Sequence, residues 1–140
     1  MVAVSLRARR LSNPPLIAIV DDDRAVREAL CDLFQVEGLT ARTFESAAAF
    51  LAAERLDRFD CLITDVRMPG MDGLALQQHL RASGRSMPVI FLTSSTNEAT
   101  RDRALRAGAS AWFSKPLADG ALLKAVKGAL GPEETDCSEV

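Results

Sequence analysis

The sequence predicts an α/β protein: a parallel sheet with helices on both faces. Apolar runs such as Leu16 to Val20, Cys61 to Thr64 and Pro88 to Leu92 lack the polar alternation of a half-exposed strand, so they read as strands buried on both sides. Stretches of helical periodicity separate them, and the connections are short. Each of these three runs also ends on or beside a polar residue, Asp21, Asp65 or Thr93. In an open parallel sheet the crevice outside the carboxyl ends of the strands is where ligands bind.

Taken in order, Leu16 to Val20 is the first strand and the helix after it begins at Asp23, with Val26, Leu30, Leu33 and Phe34 on one face. Gly38 stops it. Leu39 to Phe44 is a shorter second strand, and Ser46 caps a helix whose apolar positions include Ala49, Phe50 and Leu51. Asp57 to Asp60 reads as a polar turn into the third strand, and Leu74, Leu76, Gln77 and Leu80 mark a third helix that ends near Gly84. Pro88 to Thr93 is the fourth strand. Any of Ser94, Ser95, Thr96 and Asn97 can cap the fourth helix, from about Glu98 to Ala107, with Gly108 as its stop. Leu105 is its one large apolar residue, which makes this helix the least firmly anchored element. Ala111 to Ser114 is a fifth strand, and Leu117 to Leu130 a last helix with Leu122, Leu123, Val126 and Leu130 on one face.

Composition bounds the function. The 140 residues fit one domain, 48% of them are apolar and 26% charged, and the net charge of −2 gives no basic field for nucleic acid. No apolar run approaches the roughly 20 residues of a membrane span. Residues 1–15 read as a disordered arm, because Arg7, Arg9 and Arg10 follow the small apolar run instead of preceding it as in a secretory signal. Residues 16–130 read as the folded domain and 131–140 as an acidic flexible tail. Cys31, Cys61 and Cys137 lack metal-ligand spacing and suggest no disulfide, so a reducing cytoplasm is the simplest setting.

Asp65 is the centre of interest. Taken alone it is as readily a turn-forming residue, since Asp bonds its own following backbone. Its company argues for chemistry: Asp21 and Asp22 follow the first strand, Thr93 ends the fourth, and Lys115 follows the fifth. Two like charges about 4 Å apart repel by roughly 4 kcal/mol at an effective dielectric of 20, so Asp21, Asp22 and Asp65 together need a cation. Mg2+, which takes oxygen ligands and keeps several waters, fits best. Asp23 serves the helix N-terminus, Asp72 forms a turn, and His79 lies on the third helix with a surface role.

With Asp21-Asp22, the Asp65 segment and its Met68-Pro69-Gly70-Met71-Asp72-Gly73 loop, Thr93, and Lys115-Pro116, the chain resembles the receiver domain of two-component response regulators. The resemblance runs from about Leu16 to Leu130, in motif order as well as identity, and is strongest to receivers of the nitrogen-fixation regulator group. It implies a flavodoxin-like (βα)5 fold with strand order 2-1-3-4-5. It implies further that Asp65 accepts a phosphoryl group from a histidine kinase or phosphotransfer protein, helped by Thr93 and Lys115, and that the domain catalyses only its own phosphorylation and dephosphorylation. Asp22 and Asp65 would ligate Mg2+ directly, Asp21 through water, and the Arg67 backbone carbonyl would complete the set. Pro116 would be cis, and Thr93 with Trp112 would form a switch. Output would pass to a protein partner or a homodimer through the fourth helix, fifth strand and last helix, with no direct contact to nucleic acid or membrane.

Two other readings are open to the same residues. A phosphatase of the haloacid-dehalogenase type also combines an aspartyl nucleophile, Thr or Ser, Lys and Mg2+, but its nucleophile ends the first strand and acidic ligands follow its lysine. A flavodoxin-like cofactor binder needs a Gly-rich phosphate loop where this chain has Asp21-Asp22-Asp23.

Overall fold

A computed structural model of the protein describes residues 15–53, 56–95, 97–115 and 119–131. Its strands are β1 (Leu16–Val20), β2 (Thr40–Phe44), β3 (Cys61–Thr64), β4 (Val89–Thr93) and β5 (Ala111–Ser114). Its helices are α1 (Arg24–Val36), α2 (Ala47–Leu51), α3 (Gly73–Ala82), α4 (Glu98–Arg106) and α5 (Asp119–Leu130). The five strands pair in parallel in the order β2-β1-β3-β4-β5, as the resemblance implied. The expected arm and tail fall almost wholly outside the described residues, and so does Pro116.

The unbroken apolar runs are explained by two cores, one on each face of the sheet. Successive residues of one strand belong to different cores: Ala18, Val20, Leu62 and Phe91 point to one, Ile17, Ile19, Ile63, Ile90 and Leu92 to the other. The first core takes Phe50 of α2, Leu76 and Leu80 of α3, and Ala104 of α4; the second takes Leu30 and Phe34 of α1 and Leu122, Val126 and Leu130 of α5. Helices therefore cover both faces, and all the strand carboxyl ends open at one edge.

Local chemistry sets the helix starts. Asp23, Ser46, Asp72 and Asn97 each accept a hydrogen bond from a backbone N–H of the first turn, at Ala25, Ala49, Ala75 and Thr100. The four candidates before α4 thus resolve to Asn97 as its cap. Asp72 forms its turn as a helix cap.

Leu105, the one large apolar residue of α4, is 37% exposed and the residue the helix buries is Ala104 at 0%, in keeping with the weak apolar anchoring expected of it. Two details differ from the expectation. The segment before β3 is more than a polar turn, since a 3-10 turn over Leu56–Arg58 sends Leu56 and Phe59 into the core, where Phe59 packs edge-on against Phe44 and Phe50 at centroid distances of 5.9 and 5.5 Å. In α2 the buried positions are Ala47 and Phe50, with Ala49 and Leu51 only half-buried. A helix of five residues is too short for periodicity to fix its inner face.

Candidate functional site

Asp65 follows β3 and is buried with one edge open to the crevice; Asp21, buried, and Asp22, exposed, follow β1. One oxygen from each of these three carboxylates lies within 4.8 Å of the others. Sequence spacing alone could not give that distance, because it depends on β1 and β3 being neighbours in the sheet. Asp65 N donates to the Val20 carbonyl at 3.2 Å, which carries the parallel pairing one residue past the end of β3 and sets Asp65 beside the acids that follow Val20.

Lys115 closes the site from the far side. Its Nζ lies 2.8 Å from Asp65 Oδ2 and 3.0 Å from Asp21 Oδ2, so one ammonium bridges the acids of two strands. Its backbone N–H donates to the Thr93 carbonyl at 2.9 Å, fixing the end of β5 against β4. Burial alone would lower the Lys115 pKa, but its bonds to Asp65 and Asp21 outweigh that and leave it above the ordinary value. Burial pushes Asp21 above its ordinary value, opposed by the Asp23 N–H at its Oδ1 and by Lys115. The repulsion argument from sequence called for a cation, and part of that compensation is internal.

The three acids fit a hard divalent cation on the chemistry of their donors. All three offer carboxylate oxygens, Asp22 faces solvent, and among the described residues no histidine or thiol joins them. His79 lies exposed on α3, as expected.

Thr93 is fully buried, and its Oγ1 accepts the Ser95 N–H at 3.1 Å. That bond uses a lone pair and leaves the hydroxyl hydrogen free to donate. Arg67 donates its backbone N–H to Asp65 Oδ1 at 3.3 Å while its side chain is exposed, which keeps its backbone beside the acceptor. Trp112 stands on the first core's side of the sheet with its ring tilted 36° to that of Phe91 and 5.5 Å away; Phe113 points to the second core. The two rings alternate across the sheet, as neighbouring strand residues do, and both are half-buried.

Two contributors escaped the sequence reading. A Cβ at Gly73 would lie 2.1 Å from the carbonyl oxygen of Asp65, so only glycine lets the start of α3 approach the end of β3 so closely. Its N–H donates to the Val66 carbonyl at 2.8 Å, which fastens the loop after Asp65. Arg27 of α1 donates to the Asp21 carbonyl at 2.7 Å and steadies the acidic turn from below. Gly73 belongs to the loop that carries the resemblance, but the close approach it permits has no signature in the sequence, and an arginine on a polar helix face reads as solvated.

A family model described as the response regulator receiver domain matches residues 17–127. The chain belongs to that family. This receiver is 43% identical over 116 residues to the transcriptional regulatory protein FixJ of Azorhizobium caulinodans, covering 82% of this chain and 54% of that protein. It is 41% identical over 115 residues to the response regulator protein TodT of Pseudomonas putida, covering 82% and 51%. The chain thus spans about half the length of the curated relatives it matches. Among solved structures, FixJ-N superposes with a TM-score of 0.75 at 30% identity, over 84% of this chain and 94% of that one. The expected likeness to the nitrogen-fixation regulators is met by the FixJ matches.

Proposed function

We propose that Asp65 accepts a phosphoryl group from the phosphohistidine of a sensor kinase or phosphotransfer protein, and that this changes which partner the domain binds. The observation that carries the reading is the meeting of Asp65, Lys115 and the paired acids Asp21 and Asp22 at one strand-end crevice, beside the free hydrogen of Thr93. A carboxylate oxygen of Asp65 attacks phosphorus, the bond from phosphorus to the histidine nitrogen breaks with its electron pair left on nitrogen, and the ring, protonated at its other nitrogen, leaves as neutral imidazole. An acyl phosphate remains on Asp65. Phosphoryl transfer depends mostly on position and charge, which the remaining side chains supply. Lys115 is released from its carboxylate partners to hold one phosphoryl oxygen, and the Thr93 hydroxyl donates to another.

Mg2+ held by Asp22, Asp65 and the Arg67 carbonyl, with Asp21 through water, would neutralise charge on the incoming group. The domain's own catalysis is limited to this transfer and its hydrolysis. Rearrangement of Thr93 on phosphorylation, read out by Trp112, would alter the face formed by α4, β5 and α5, where a protein partner or second copy binds; neither nucleic acid nor membrane is a direct target. Cytoplasm is the compartment that suits this chemistry and keeps the thiols of Cys31 and Cys61 reduced.

Incubation with acetyl phosphate and Mg2+ tests the reading by mass spectrometry. Wild type should gain one phosphoryl group and Asp65→Asn none. An equal gain in both would place the acceptor elsewhere.

A further inference from the structure

At the edge of the sheet opposite Asp65, where β4 begins at Val89, the carboxyl ends of α3 and α4 meet over a hollow of about 400 Å³. Arg81 from the last turn of α3, Arg85 from the connection to β4, and Arg106 from the end of α4 line it, with Gln77 and Ser86 between them and no carboxylate on its wall. The concentration of positive charge runs against a chain of net charge −2. Among the described residues, none of the three guanidiniums pairs with an acid: the ion pairs there are Arg24 with Glu28, Lys127 with Glu37, and Lys115 with Asp21 and Asp65.

Arginines at helix C-termini commonly serve the terminal carbonyls and the helix dipole. Here the backbone already does so. At the end of α3, Gly84 N donates to Arg81 O and Arg85 N to Leu80 O; at the end of α4, Gly108 N donates to Leu105 O and Ala109 N to Ala104 O, all at 2.9 to 3.0 Å. Of the three arginines only Arg81 donates to a helix-end carbonyl, that of Ala107, which ties the two walls of the hollow together. The two helix ends contribute about half a negative charge each, so three guanidiniums leave the hollow net positive.

We propose that this hollow binds a small phosphate-bearing anion, held mainly by the guanidinium forks of Arg85 and Arg106. Three arginines brought to one hollow by three elements offer more planar donor pairs than the two oxygens of one carboxylate can accept, whereas a phosphate or diphosphate presents oxygens in several directions. The site is independent of Asp65 chemistry and would be occupied in the unphosphorylated protein.

Titration of 15N-labelled protein with sodium pyrophosphate, without Mg2+ and at physiological ionic strength, tests it. Saturable amide shifts should centre on residues 83–87 and 106–109, and an Arg85→Ala, Arg106→Ala double variant with an otherwise native spectrum should bind roughly tenfold or more weakly. An Arg85→Lys, Arg106→Lys variant keeps the charge and loses the forks, so it too should bind more weakly than wild type. Shifts centred on Thr93 and Lys115, undiminished binding in the alanine variant, wild-type binding in the lysine variant, or tighter binding of a glutamate-rich peptide at the same amides would each overturn the proposal.

Discussion

Helices α1 and α4 lie on opposite faces of the same sheet and are held by different physics. Leu30 and Phe34 drive α1 into the second core, while α4 contributes only Ala104 to the first and leaves Leu105 at the surface. What fastens α4 is polar: Gln77, only 2% exposed, donates Nε2 to the Ala104 carbonyl at 3.1 Å, and Arg81 donates to that of Ala107. The neighbouring β5, partly exposed along its length, is pinned at its end by Lys115. An apolar anchor resists displacement in proportion to the area it buries, whereas a hydrogen bond or ion pair can be exchanged for another of similar strength. The side of the domain expected to respond to phosphorylation is the side built from exchangeable ties.

Cutting the apolar anchor should have the largest effect. Phe34→Ala should lower global stability by about 3–5 kcal/mol, read from denaturant melts, with α4 and α1 lost in one transition. Lys115→Met should come next, at roughly 1–3 kcal/mol, because Asp21 and Asp65 then face each other without their shared cation. Its signature is a pH dependence. Because the native Lys115 pKa is raised above its ordinary 10.5, the stabilisation is fully present below that value and is lost as pH rises through the higher native value. Wild type should therefore lose stability relative to Lys115→Met on the alkaline side, and parallel curves there would refute the ion-pair anchor.

Gln77→Leu should cost about 1 kcal/mol or less globally, since Ala104 O keeps its bond from Ala109 N, yet amide exchange in α4 should accelerate while that in α1 stays unchanged. If both helices exchange alike, the polar tie is not what holds α4. Leu105→Ala should be smallest, within roughly 0.5 kcal/mol, because its side chain reaches solvent.

The strands and the polar residues at their ends were legible because a two-sided core demands continuous apolar runs, and β1, β3 and β4 supply them. Asp21, Asp22, Asp65, Thr93 and Lys115 stand where strand ends put them, so their meeting followed from topology. What was not legible depends on distances that no spacing encodes. The sequence marks Leu105 as the one large apolar residue of α4, but the residue that meets the core is Ala104, because α4 packs close enough for a methyl group to fill the contact. Gly73 looked like a loop residue because the obstruction it avoids, the Asp65 carbonyl, is met only in three dimensions. That Lys115 pairs with both Asp65 and Asp21 was hidden for the same reason.

The bridge from Lys115 to Asp65 spans 50 positions of chain, and that to Asp21 spans more. Contacts so distant in sequence form late, since loop closure must be met before they reward it. During synthesis the two acids emerge and can begin to pair through β1 and β3 while the lysine that reconciles them is still to come. The crevice therefore carries its full electrostatic strain in every partly folded form that lacks a docked β5, and is relieved of part of it only at the closing step. The same ammonium proposed to hold a phosphoryl oxygen thus first acts as the latch of assembly, which ties completion of the crevice to completion of the sheet.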